Sequence, residues 1–169
     1  CIAGDDPARM RQLPDSTGMK NEVIIQNCHR FAYDQSYRAG GAKLVGIGDG
    51  RRCQAWELEG AINENTAAVA YLFSHHLSRR ALPLEEVCNI AHKHDVPVIV
   101  DGASMLPPRA NLRRYLQDGA DMVVFSGGKG IRGPQGTGIL CGRGDLIAAA
   151  AAQANPNQFI ARPMKVTKE

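Results

Sequence analysis

The chain has 169 residues, of which 44% are hydrophobic and 22% charged, and this composition indicates a globular domain with a real core rather than a disordered protein. The formal net charge is only +3 and the basic residues occur in scattered pairs, which argues against a nucleic-acid-binding protein. No apolar run approaches the ~20 residues of a membrane-spanning helix, so we expect no membrane partner.

Short β-rich runs alternate with amphipathic stretches along the chain, a pattern typical of β-α-β units and a mainly parallel sheet. The predicted strands are 22–26, 42–47, 67–73, 96–100, 121–125 and 137–141; the predicted helices are 84–94, 111–117 and a stretch from about Asp145. Strand 96–100 (VPVIV) is the most apolar and is predicted to be central. We therefore predict an α/β fold in three layers, with helices on both faces of the sheet.

The two ends of the sequence do not look like the ends of a complete domain. "CIAGDDPARM" lacks an initiator methionine and is typical of the tail of a helix that runs into a Gly-Asp loop. "ARPMKVTKE" stops without completing an element. We therefore expect the chain to be a piece of a longer protein.

The five cysteines are scattered and include no C-x-x-C pair. This spacing argues against a disulfide framework or a zinc site and favours free thiols in a reducing cytosol. The histidines at 75, 76, 92 and 94 also lack the i, i+4 spacing of helical metal ligands, so a solvated surface is the better interpretation. We expect a cytoplasmic protein without a metal site.

Polar residues follow three of the predicted strands. His29 comes after VIIQNC, Asp101 after VPVIV, and Ser126 with Lys129 after MVVF. Functional groups of open α/β sheets collect just beyond the carboxyl ends of the strands, so these four residues are the candidate site residues.

Lys129 lies in a glycine-rich turn, where it could bind phosphate, react with a carbonyl or simply cover the turn. The phosphate-loop pattern fails, because Val123 replaces its first glycine and Gly130 its hydroxyl residue. The dinucleotide fingerprint also fails, because Gly46-Ile47-Gly48-Asp49-Gly50-Arg51 has the wrong third position.

A covalent role for Lys129 fits its surroundings better. A site with apolar walls at a strand end favours the neutral, nucleophilic amine, and the glycines beside it let a flat ligand approach the backbone. Ser126 can donate its hydroxyl to a phosphate, and a carboxylate as deep as Asp101 needs a cationic partner such as a protonated pyridine nitrogen. Pyridoxal phosphate requires these three groups. Taken singly, Asp101 could equally be a turn or helix cap.

The motifs "VPVIVDGAS" and "DMVVFSGGKGIRGPQGTGIL", with "KNEVIIQNCHRFAYDQSYRAGGAKLVGIG", resemble the fold-type-I pyridoxal-phosphate enzymes. The similar group is that of bacterial selenocysteine synthase (L-seryl-tRNA selenium transferase) and D-glucosaminate-6-phosphate ammonia-lyase. The resemblance covers roughly residues 20 to 145. It implies that Lys129 binds the cofactor covalently, that Asp101 pairs with the ring nitrogen and that Ser126 faces the phosphate. For His29, stacking on the cofactor ring and a plain loop role both stay open.

The resemblance also implies a domain organisation. Residues 1–150 are expected to form part of the cofactor-binding large domain, and residues 151–169 the start of a connection to a small domain. The main phosphate-binding helix of such enzymes would precede this sequence. These enzymes bind their cofactor between subunits, so a homo-oligomer is expected.

The expected activity is abstraction of an α-proton from an amino acid or amino sugar acid, followed by β-elimination or β-replacement. "VDGASMLPP" differs from the D-L-G-S-G of selenocysteine synthase, which favours a small-molecule substrate over a tRNA. Arg109 and Arg132 are candidates for anionic substrate groups, although a surface role is open for each. The alternative function is a catalytically inactive α/β oligomerisation or nucleotide-binding module.

Overall fold

A computed structural model describes residues 1–74 and 81–160 and contains one six-stranded sheet in the order β2-β1-β3-β4-β5-β6. Neighbouring strands from β2 to β5 are parallel, and β6 is antiparallel to β5. The strands are β1 (Glu22–Gln26), β2 (Lys43–Ile47), β3 (Thr66–Leu72), β4 (Val98–Asp101), β5 (Met122–Ser126) and β6 (Gly138–Gly142). The helices are α1 (Pro7–Gln12), α2 (Gln35–Ala39), α3 (Ala55–Ala61), α4 (Leu84–His92), α5 (Asn111–Gln117) and α6 (Gly144–Gln153).

Helices cover both faces of the sheet, as predicted. On one face, buried residues of β3, β4 and β5 pack with α3, α4 and α5, including Leu58, Val87 and Tyr115. On the other face, Val23, Ala68 and their neighbours form a smaller apolar cluster against which Tyr37 of α2 packs. The three-layer α/β architecture is therefore confirmed.

The predicted strands are found within one or two residues of their expected bounds, because each is an apolar run between turn-forming residues. β4 begins at Val98 rather than at Val96. It lies between β3 and β5, which confirms its predicted central position. Helix α4 buries the apolar side of its predicted pattern, with Glu85 and Glu86 in its first turn.

Helix α1 follows the Gly-Asp sequence near the amino terminus and was not among the predicted helices. The Asp6 carboxylate accepts hydrogen bonds from the backbone N–H groups of Ala8 and Arg9, and Pro7 occupies the first helical position. An aspartate cap followed by proline is a strong start signal for a helix. Helix α3, which was also not predicted, begins with a capping box between Gln54 and Glu57.

No helix within residues 1–74 and 81–160 is long and apolar enough to cross a membrane.

Candidate active site

The carboxyl ends of β1, β3, β4 and β5 meet at one edge of the sheet, because these strands are parallel neighbours. A cavity of about 380 Å³ opens there. Its lining comes from the residues at or just after those four strand ends: Phe31, Tyr33, Leu72, Phe73, Ser74, Asp101, Ala103, Ser104, Ser126 and Lys129. Three of the four predicted site residues, Asp101, Ser126 and Lys129, therefore share one cavity.

Asp101 is the last residue of β4 and is half-buried between β3 and β5. Its Oδ1 accepts a hydrogen bond of 2.9 Å from the Ala103 N–H. Its Oδ2 has no hydrogen-bond partner in the part of the chain that the structure describes. Burial raises the pKa of the Tyr37 hydroxyl, and the negative charge of Asp101 raises this pKa further. One carboxylate oxygen of Asp101 is thus free to meet a ligand in the cavity.

Lys129 lies in the turn that follows β5, and its side chain is exposed. Its amine forms no ion pair with any residue in 1–74 or 81–160. Ser126 ends β5 and donates its backbone N–H to the Ala103 carbonyl at 3.2 Å, which ties the lysine turn to the segment after Asp101. The amine is therefore available to react at the cavity.

Ser104 adds a hydroxyl to the cavity wall and was not among the predicted site residues. Neither its hydroxyl nor that of Ser126 has a protein partner among the described residues. The signal was present in the sequence, since Ser104 follows a predicted central strand as closely as Lys129 follows the next one.

Two aromatic residues after β1 form another wall of the cavity. Phe31 and Tyr33 lie in an edge-to-face contact with ring centroids 5.5 Å apart. Asp34, which is only 5% exposed, holds this loop through ion pairs with Arg30 and with Arg38, the latter at 3.0 Å. His29 was the predicted site residue of this loop, and Phe31 and Tyr33 were not predicted.

His29 is completely buried and does not contact the cavity. Its Nδ1 accepts a hydrogen bond of 3.3 Å from the Leu72 N–H, and its ring lies edge-on to Tyr71 at 4.6 Å. Leu72 lies beyond the last β1–β3 residue pair, so the imidazole extends the sheet by one hydrogen bond. This placement favours a structural role for His29 over the stacking role that the sequence left open.

The burial of His29 predicts a pH-dependent stability. Burial lowers the pKa of His29 from 6.5 to about 4, so protonation favours the unfolded chain. The contribution of neutral His29 to the free energy of unfolding is fully present above pH 6.5 and is lost as the pH falls toward 4. We expect the free energy of unfolding to fall by about 2 kcal/mol between pH 7 and pH 5. Urea unfolding at both pH values measures the loss. His29→Asn keeps an acceptor for the Leu72 N–H without the titration, so an unchanged pH dependence in that variant would contradict the assignment.

Arg109 and Arg132, the candidates for anionic substrate groups, are both exposed and outside the cavity lining.

Two of the histidines pair with carboxylates: His92 with Asp121 at 2.8 Å, and His94 with Glu59 at 2.6 Å. Within the described residues, no cluster of three histidine, cysteine or carboxylate ligands could hold a metal ion. His75 and His76 lie outside the described residues. All five cysteines are free thiols.

The chain is similar to several curated proteins along nearly its whole length. It is 39% identical to the 5'-C-glycyluridine monooxygenase-decarboxylase of a Streptomyces species, with 100% of the chain and 42% of the relative covered. It is also 39% identical to the D-glucosaminate-6-phosphate ammonia lyase of Salmonella typhimurium, covering 99% of the chain and 45% of the relative. The chain thus spans less than half the length of the curated relatives that it matches.

Solved structures give the same result. The structure of D-glucosaminate-6-phosphate ammonia-lyase matches 99% of this chain and 44% of its own, with a TM-score of 0.89 and 38% identity. A Thermus thermophilus aspartate aminotransferase shares the fold alone, with a TM-score of 0.61 and 18% identity over 94% of this chain and 45% of its own. The aminotransferase class-V family model matches residues 11–159. The chain belongs to the aminotransferase class-V family.

Proposed function

We propose that the chain is the cofactor-binding part of a pyridoxal 5'-phosphate-dependent enzyme acting on an amino acid or amino sugar acid. The observation that carries this proposal is the cavity shared by Lys129, Asp101 and Ser126. In that assignment, Lys129 binds the cofactor aldehyde covalently, Asp101 pairs with the ring nitrogen and Ser126 donates to the phosphate.

The groups in the cavity suit pyridoxal phosphate chemically. An aldehyde needs an amine free to lose its proton, and the Lys129 amine has no ion-pair partner in the described residues. The ring nitrogen needs an acidic partner, and Asp101 Oδ2 is unpaired there. The phosphate needs donors, which the free hydroxyl of Ser126 supplies in part. The cavity volume of about 380 Å³ lies within the range of small-molecule and cofactor sites.

The proposed mechanism divides the work among these residues. When bound, pyridoxal phosphate supplies an electron sink for negative charge at the substrate α-carbon. With cofactor and substrate bound, Lys129 would be the residue whose amine accepts the α-proton as general base. The Asp101 carboxylate keeps a proton on the ring nitrogen, since its charge stabilises the protonated form. Phe31 and Tyr33 line one side of the cavity, although the Tyr33 side chain is 74% exposed to solvent.

The outcome after proton removal follows one of two courses in this proposal. Loss of a β-substituent leads either to elimination or to replacement. The printed names indicate release of ammonia for one relative, D-glucosaminate-6-phosphate ammonia lyase, and transfer of selenium for another, L-seryl-tRNA(Sec) selenium transferase. We favour a small-molecule substrate over a tRNA. Identity to the ammonia lyase is 39%, whereas identity to the Desulfovibrio desulfuricans selenium transferase is 32%, over 86% of the chain and 34% of that relative.

We further propose a homo-oligomeric, cytoplasmic protein. The five free thiols support a reducing compartment. The assignment of residues 1–150 to a large domain and of 151–169 to a connection remains a prediction.

The visible absorption spectrum of the purified protein tests the proposed function. We expect a band from cofactor bound to lysine, which borohydride removes. A catalytically inactive oligomerisation module or a nucleotide-binding module would show no such band after incubation with pyridoxal phosphate. That result would overturn the proposal.

A further inference from the structure

The turn that carries Lys129 is enclosed by two other segments of the chain. On one side lies the stretch from Pro134 to Thr137, which leads into β6, and on the other lies the turn around Leu106, which follows β4. Both segments approach the glycines next to Lys129 so closely that a side chain there would collide with them.

Thr137 forms the first of these contacts. Its carbonyl accepts a hydrogen bond of 2.9 Å from the Gly127 N–H, and its hydroxyl donates to the Pro134 carbonyl at 2.6 Å. A Cβ added to Gly127 would collide with Thr137 Oγ1. The bond to Pro134 therefore holds the Thr137 side chain against Gly127, at the start of the turn that carries Lys129.

Leu106 forms the second contact. A Cβ added to Gly130 would collide with the Leu106 carbonyl oxygen, so this backbone lies directly against the residue after Lys129. The turn is fixed in place, because the Asn111 side chain donates to the Met105 carbonyl at 2.6 Å. Leu106 is five residues from Asp101, so one short segment carries the carboxylate and bounds the lysine turn.

We propose that Thr137 and the Leu106 carbonyl are positioning groups that fix the Lys129 amine relative to Asp101. Neither touches the reacting atoms. Thr137 acts through Gly127, two residues before Lys129, and the Leu106 carbonyl acts through Gly130, the residue after it. The inference rests on the proposed function, because it assigns these groups to the attachment of pyridoxal phosphate. A displacement of about 1 Å in a reactive group can lower a rate about 100-fold. Loss of either contact on this turn should therefore lower the rate of cofactor attachment measurably.

The test compares two variants of Thr137 and one of Gly130. Thr137→Val keeps the shape but removes the bond to Pro134, Thr137→Ser keeps the hydroxyl, and Gly130→Ala forces the turn away from Leu106. Gly60→Ala is the control, because Gly60 lies in α3 and its added methyl would meet no atom within 4 Å. The first readout is the rate, measured by stopped flow, at which the apo protein forms its covalent bond with added pyridoxal phosphate. The second is the pH at which the absorption band of the lysine-bound cofactor shifts.

We expect Thr137→Val and Gly130→Ala to slow attachment by about 10-fold or more and to move the pH of the spectral shift. Thr137→Ser and Gly60→Ala should behave like the unsubstituted protein. Equal rates in Thr137→Val and Thr137→Ser would overturn the proposal, even if Gly130→Ala fails to fold. Failure of the proposed function is distinguishable, since the unsubstituted protein would then form no borohydride-stable adduct at Lys129.

Discussion

Lys129→Ala is expected to abolish covalent attachment of pyridoxal phosphate while leaving the fold intact. The side chain is exposed in a turn and makes no ion pair within the described residues, so its removal costs little stability. Loss of a positioned general base typically costs about 100- to 10,000-fold in rate, and this variant loses the covalent attachment as well. We expect α-proton exchange to fall by at least that factor.

Borohydride reduction followed by peptide mass mapping checks the assignment directly. The pyridoxyl adduct should be found on Lys129 in the unsubstituted protein and be absent from Lys129→Ala. Lys43→Ala is a suitable control, because Lys43 is exposed and pairs with Glu22 at 2.8 Å, at the opposite end of the strands. An adduct on Lys43 or Lys20 instead of Lys129 would show that the lysine was wrongly chosen.

The strands of this fold were predictable because their signal is local. Each strand is an apolar run that ends at turn-forming residues, and polar side chains just beyond the strand ends identify the edge where a site forms. Asp101, Ser126 and Lys129 could be chosen in this way. Neighbouring parallel strands then bring the three residues to one cavity.

The placement of His29 could not be predicted in the same way, because it depends on a partner 43 residues away. The sequence shows that His29 follows a strand, but not that the Leu72 N–H needs an acceptor there. Phe31 and Tyr33 follow the same strand, and only the path of the loop, held by Asp34, directs them to the cavity. Local patterns give the strand and its end, whereas the direction of each side chain is set by tertiary contacts.

The close packing around Lys129 is also non-local. The glycines in "SGGKGIRGPQGTG" suggest a backbone that a flat ligand can approach. The structure adds a second reason for them, since the Thr137 hydroxyl and the Leu106 carbonyl occupy the space that side chains at Gly127 and Gly130 would need. A glycine-rich turn beside a reactive lysine thus serves the protein's own packing as well as ligand access.

Asp101→Asn is expected to retain the fold and most cofactor binding but to slow α-proton removal severely. Asparagine is nearly isosteric with aspartate, and its Oδ1 can still accept the 2.9 Å hydrogen bond from the Ala103 N–H. The substitution therefore removes one negative charge from the cavity without removing the contact that orients the side chain.

Loss of this charge lowers the pKa of the cofactor ring nitrogen, because the carboxylate stabilises its protonated form. Each unit by which the pKa of the ring nitrogen falls corresponds to about 1.4 kcal/mol, so a fall of two units corresponds to about 2.7 kcal/mol. If the activation free energy rises by this whole amount, the rate falls about 100-fold. Exchange of the substrate α-proton for deuterium, followed by NMR, measures this step separately from later elimination or replacement. Asp118→Asn is the matched control, because Asp118 has only a 3.7 Å ion pair with Arg114 and lies outside the cavity. Near-normal exchange in Asp101→Asn would show that Asp101 does not face the ring, and the roles of Lys129 and Ser126 would then have to be assigned without it.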